Sequence, residues 1–186
     1  MIIEIILLSI ISLSLLFFIK GKFNITDFNI DIKGYKILII MAVVEITAVF
    51  LFKKFSSNKI LKILSMSWII YPAILVVPLF NFKKHCMKLF FIGTLLNFVA
   101  IVFNDFKMTG NIAETAANSQ ATVAMLNSGK DLIHSMMTAS TRFKFLCDII
   151  TIPPPYPFVK TISIGDILLL AGVFIFWQEA YKAKSD

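Results

Sequence analysis

The sequence predicts an all-α membrane protein of about five transmembrane helices, with an interfacial or re-entrant helical segment ahead of a proline-rich connector. Three observations predict it. Of 186 residues, 58% are hydrophobic and only 16% charged, too apolar a balance for the surface of a soluble domain of this size. Nineteen Phe and only seven Gly suit long apolar helices, and no alternating pattern of a transmembrane barrel is visible. The basic residues, 18 Lys and Arg against 11 Asp and Glu, gather in short clusters between apolar runs. Loop charges obeying the positive-inside rule look like this, so the excess implies a lipid bilayer as partner and no nucleic acid.

With about 20 apolar residues as the length of one crossing, spans are expected at Ile2–Ile19, Ile37–Phe52, Ile60–Phe82, Leu89–Phe103 and Ile162–Trp177, within a single polytopic domain over residues 1–186. The first run lacks a basic start and a small-residue cleavage site, carries Glu4, and ends in Lys20-Gly21-Lys22, so it reads as a retained span and not a signal peptide. The third contains Pro72 and Pro78, which remove backbone donors and bend or divide it.

The character changes over residues 104–160. Asn111–Asp131 is small and polar, and Leu132–Ile152 mixes apolar residues with His134, Arg142, Lys144 and Asp148. Each charge at a helix centre costs about 2.5–3.5 kcal/mol, so neither piece inserts alone. Helices lying at the interface or entering partway are expected. Pro153, Pro154, Pro155 and Pro157 then make a stiff, non-helical connector.

Orientation follows from the lysines. Placing the N-terminus outside puts Lys20, Lys22, Lys33, Lys36, Lys83, Lys84, Lys88, Lys182 and Lys184 inside, against Lys53, Lys54, Lys59 and Lys62 outside. The expectation is a cell-membrane protein with its C-terminus in the cytoplasm and the long segment outside.

Several residues are candidates for binding a ligand or partner. Asp166 opens the last span, where Ser163 is a natural N-cap. An acid there either serves the helix dipole or binds a ligand. Asp148 pairs with Arg142 or Lys144, or meets Asp166 across the connector as two carboxylates with a raised pKa. Glu45, mid-way along the second span, needs a partner or a proton. His134 offers a proton or ligand role beside a packing one. Asn97 and Asn104, seven residues apart, share a helix face and suit interhelical hydrogen bonds. Cys86 and Cys147 have no metal or disulfide spacing, and no phosphate loop, HExxH or GxSxG is present. No cofactor, metal or catalytic residue is therefore assigned.

The residues Arg142-Phe-Lys-Phe-Leu-Cys-Asp148-Ile-Ile, Ile152-Pro-Pro-Pro-Tyr-Pro-Phe158 and Ser163-Ile-Gly-Asp166-Ile-Leu resemble the C-terminal signature of a bacterial family of small polytopic membrane proteins of unknown function. The resemblance extends to Lys20-Gly-Lys22, Leu96-Asn97-Phe98, Asn104 and His134. This chain has Cys147 where the pattern has glycine and Thr151 where it has proline. Asn104-Asp-Phe-Lys-Met108-Thr stands where the pattern reads Asn-Gly-Gly-x-Met-Pro. The resemblance implies a membrane fold and no particular activity.

Three functional readings follow. The first is a non-enzymatic membrane subunit whose outer face binds a partner membrane protein, a second copy or a small ligand. The second is a transport component coupling ions or protons through Glu45, Asp148 and Asp166, against which the lack of an internal repeat counts. The third is an intramembrane enzyme using His134 with Asp148 or Asp166 as acid and base, for which no nucleophile arrangement is visible.

Overall fold

The structure, a computed structural model, describes residues 2–22, 24–55, 60, 70–111, 124, 126, 131, 133–156 and 160–182. Long apolar sequences form α1 (Ile2–Lys20), α2 (Tyr35–Lys54), α3 (Tyr71–Phe80), α4 (His85–Val102) and α5 (Ile164–Lys182). Among the described residues four of these, α1, α2, α4 and α5, are long and apolar enough to cross a membrane. The expected third span, Ile60–Phe82, is described only at Ile60 and from Ile70 onward, where α3 carries Pro72 in its first turn and Pro78 inside. Residues 61–69 lie outside the described residues.

Side-chain contacts fix the helix directions. Ser12 donates through Oγ to the Phe174 carbonyl at 2.8 Å, and Gln178 Nε2 donates to Ser12 O at 3.1 Å and Oγ at 2.9 Å. The Lys20 ammonium lies over the Tyr181 ring, so α1 and α5 run side by side in the same direction. α4 runs against α5. Their backbones touch: a Cβ on Gly165 would lie 2.6 Å from the Gly93 carbonyl, and one on Gly93 would lie 2.6 Å from the Gly165 carbonyl. Only residues without a side chain permit that approach.

α3 returns antiparallel to α4, with Tyr71 stacked on Phe98. The loop before α2 is tied to the turn after α3: buried Asn81 accepts from the Lys33 amide at 2.9 Å and donates to the Lys33 and Val77 carbonyls, each at 2.8 Å. The helices thus alternate in direction. One end holds the starts of α1, α3 and α5; the other holds their C-terminal ends and the lysine-rich loops.

Residues 104–160 contribute small sheets to the first end. Strands β1 (Met108–Gly110) and β2 (His134–Met136) pair in parallel, and β3 (Ile150–Ile152) pairs antiparallel with β4 (Lys160–Ile162) across the prolines. A 3-10 turn spans Lys144–Leu146. Of the helical segment expected here, Ala124 and Leu126 are helical, and residues 112–123, 125, 127–130 and 132 lie outside the described residues. Asp105 and Phe106 take left-handed φ of 57° and 59°, which turns the chain away from α4, and Phe143 does the same at 48°. Left-handed backbone favours glycine. The turn forms here without it.

The core sits where α4 meets these strands: Ala100, Ile101, Met108, Leu146 and Cys147, with Tyr71, Leu96, Val99 and Met137 against it. By contrast α2 is largely uncovered, with Ile46 and Phe50 each 70% exposed. Such faces suit contact with lipid. The fold class expected from composition, an all-α membrane protein, is the one observed.

The helix contact predicts a graded response. Gly165→Ala would drive a methyl into the hydrogen-bonded Asn97 amide oxygen and the Gly93 carbonyl, the latter 2.6 Å away, and should destabilise the protein by about 1–3 kcal/mol. Gly172→Ala meets only the Phe90 ring, at 2.8 Å, which can rotate, so it should cost less. Thermal unfolding in detergent ranks the two, and equal stability would disprove the close-approach argument.

Candidate acidic site at the sheet end

The start of α5 is built around a reciprocal cap. Ser163 is fully buried, and its Oγ accepts from the Asp166 amide at 2.9 Å while Asp166 Oδ2 accepts from the Ser163 amide at 3.3 Å. Each satisfies an orphan donor of the first turn. Asn97 on α4 joins the pair. Its Oδ1 accepts from Ser163 Oγ at 2.8 Å, and its Nδ2 donates to Asp166 Oδ1 at 2.9 Å. The interhelical bond expected of Asn97 and the cap expected of Ser163 and Asp166 are thus one network. One turn earlier on α4, Thr94 Oγ1 is buried without a hydrogen-bond partner.

Asn104 acts separately, seven residues on. Its Nδ2 donates to Ala100 O at 2.8 Å and Arg142 O at 2.9 Å, and its Oδ1 accepts from the Arg142 amide at 2.8 Å. It closes α4 and clamps the Arg142 backbone. The Arg142 side chain is exposed and makes no ion pair with Asp148 among the described residues. The Arg142–Asp148 pairing therefore does not form, because Asn104 holds Arg142 by its main chain.

Asp148 is held differently. Its amide donates to Thr109 O at 3.0 Å and its carbonyl accepts from the Asn111 amide at 2.9 Å, in a bridge to Gly110. A Cβ on Gly110 would stand 2.9 Å from Asp148 Cβ, so glycine lets the two backbones meet. With its main chain fixed, the carboxylate turns inward, and Oδ1 is buried with no hydrogen-bond partner. Burial first, and the charge of Asp166 second, push its pKa up from 3.8 to about 7, with Lys160 opposing. The expected meeting of the two acids is present in this electrostatic sense. Glu45 stands mid-way along α2 (Tyr35–Lys54) and is not part of this hydrogen-bond network.

Lys160, whose charge acts on Asp148, is already engaged. It pairs with Glu4 of α1 at 2.8 Å, and Tyr156 donates to the same Glu4 oxygen at 2.5 Å. Burial disfavours the Lys160 charge, yet the Glu4 carboxylate holds its pKa above the usual range. This triad was not legible in the sequence, because Glu4 stands more than 150 residues from Tyr156 and Lys160.

His134 lies elsewhere. It is exposed in β2 and its Nδ1 is 3.6 Å from Asp131 Oδ2. Burial works against the Asp131 charge, but the amides of His134 and Ile133 hold its pKa below the usual range. Among the described residues no group of three His, Cys, Asp or Glu side chains is placed to hold a metal ion.

The raised Asp148 value predicts a pH dependence. The folded chain binds this proton more tightly than the unfolded chain, so its contribution is complete below about pH 4 and is lost as the pH rises to about 7. Stability should fall across that window by on the order of 1–2 kcal/mol after solvent screening. Asp148→Asn should remove most of the slope in pH-resolved unfolding; an unchanged slope would assign it to other groups.

No curated protein and no solved structure matches the chain. A family model does: residues 29–178, which include Asn97, Asp148, Ser163 and Asp166, match a family of unknown function, DUF5317, and the chain belongs to that family.

Proposed function

We propose that this protein is a non-enzymatic membrane subunit whose sheet end receives a basic group, carried by a partner membrane protein or a small cationic ligand, at Asp148 beside Asp166. One observation carries the reading: Asp148 Oδ1 is buried, without a partner, in a rigid strand framework. An unsatisfied buried acceptor costs about 1–3 kcal/mol, and more when charged. A donor arriving from outside the chain recovers that energy. Lys160 does not serve, since Glu4 holds it. Asp166 keeps its cap and Asn97, and adds negative potential that favours a cation.

Positive-inside reasoning puts this end outside the cell membrane and the lysine-rich end in the cytoplasm, with residues 1–186 as one domain. A transport role is the second reading. A carboxylate that takes up a proton at about pH 7 suits proton coupling. The enzyme reading loses its pairing, because His134 binds Asp131 and not the two acids.

Purification in mild detergent tests the binding role. The wild-type chain should retain a second chain or a small molecule detectable by mass spectrometry. Asp148→Asn should reduce retention at least about tenfold, the loss of a charge-assisted contact worth roughly 1.4 kcal/mol or more, while staying monodisperse. Asp166→Asn should weaken retention less, since its cap survives. Undiminished retention in Asp148→Asn would sink the acidic-site reading.

Orientation is tested with introduced cysteines. Cys86 and Cys147 are both fully buried, so neither reports on sidedness. Ser140→Cys and Lys22→Cys, at exposed positions on opposite ends, should behave oppositely toward an impermeant thiol reagent on intact cells. Ser140→Cys should react and Lys22→Cys should not; the reverse pattern would invert the topology.

A further inference from the structure

The end opposite the acidic site is a built surface and not a collection of loose loop charges. Asn81 clamps Lys33 through both its amide and its carbonyl, and the Lys84 ammonium donates to the Asp31 carbonyl. The loop bearing Lys33 and Lys36 is thereby fixed to the turn bearing Lys83 and Lys84. Asn29 donates to the Ala180 carbonyl at 3.0 Å, and Phe28 packs on Trp177 and Tyr181. These contacts bring the end of α5 into the same surface. Lys20, Lys22, Lys33, Lys36 and Lys83 are exposed, and Lys88 is half-buried one turn into α4.

The acids at this end are largely committed. Glu179 accepts from the His85 and Cys86 amides at 2.7 and 3.0 Å and meets the His85 ring at 2.8 Å. Asp27 accepts from the Asn24 amide at 2.7 Å. The ammonium groups of Lys22, Lys36, Lys83 and Lys88 have no hydrogen bond or ion pair among the described residues. Around them stand Tyr35, Phe82, Trp177 and Tyr181, the aromatic types that settle at headgroup depth. Fixed lysines at that depth meet the phosphates of lipids.

We propose that Lys22, Lys33, Lys36, Lys83 and Lys88 form a binding surface for the headgroups of anionic phospholipids. The clamp at Asn81 lowers the ordering cost of engaging several phosphates together, and half-buried Lys88 draws one headgroup toward the start of α4.

The test reconstitutes the full chain in mixed phosphatidylcholine and phosphatidylglycerol, extracts it in neutral detergent and measures retained lipid by native mass spectrometry. The wild-type protein should retain phosphatidylglycerol over phosphatidylcholine by roughly tenfold. The triple variant K33Q/K36Q/K83Q should lose that preference, and K33R/K36R/K83R should keep it. An unchanged preference in the glutamine variant would overturn the proposal. So would its loss in both triple variants, which marks a structural role for the lysines. Inorganic phosphate should neither displace the lipid nor reproduce its thermal stabilisation. If it does either, the surface serves a soluble anion and the lipid assignment falls.

Discussion

The contact between Gly93 and Gly165 governs the arrangement of this protein. It lets α4 and α5 approach until a Cβ on either would strike the other's carbonyl. In a membrane, where lipid is as apolar as leucine, such packing and the hydrogen bonds it permits hold helices together. Here the approach brings Asn97 into the cap of α5, where one amide group serves both Ser163 and Asp166. Packing and polar satisfaction reinforce each other at one point of the chain.

The same logic recurs at the other end of the helix pair. α4 begins at Lys84 without a side-chain cap of its own. Glu179, near the end of α5, supplies the missing acceptor. Each helix of the pair therefore receives terminal hydrogen bonds from the other. Sliding one against the other would break hydrogen bonds at both ends at once, which resists a shift of register. α1 adds a polar tie in the middle of the layer through Ser12 and Gln178, and a second at the sheet end through Glu4.

This frame separates charge by end. The sheet end holds Asp148 and Asp166, and the charge of the second acts on the first. Lys160, whose charge acts on Asp148, is paired with Glu4. The opposite end displays lysines, and two of the acids beside them, Glu179 and Asp27, serve as a helix cap and a turn partner. A chain so polarised is suited to different partners at its two ends, a basic group at one and phosphate at the other. Neither use asks for chemistry beyond charge and hydrogen bonding.

Composition and apolar run length by themselves determined the class of the protein, the position of four long helices and the asymmetry of the lysines, because lipid solvation demands about 20 apolar residues per crossing whatever the neighbours. The cap at Ser163 and Asp166 was legible too, since capping is local in sequence. Residues 104–160 were not. Left-handed turns at Asp105, Phe106 and Phe143 leave no hydropathy signal, and short strands form there only because the end of α4 offers them a surface. The partners of the acids were decided by tertiary structure alone. Arg142, six residues from Asp148, was the economical choice, yet Asn104 holds its backbone and Lys160 is drawn to Glu4. Asp148 is left with a buried oxygen and no partner because pairing depends on where the main chain is pinned, and long-range hydrogen bonds pin it.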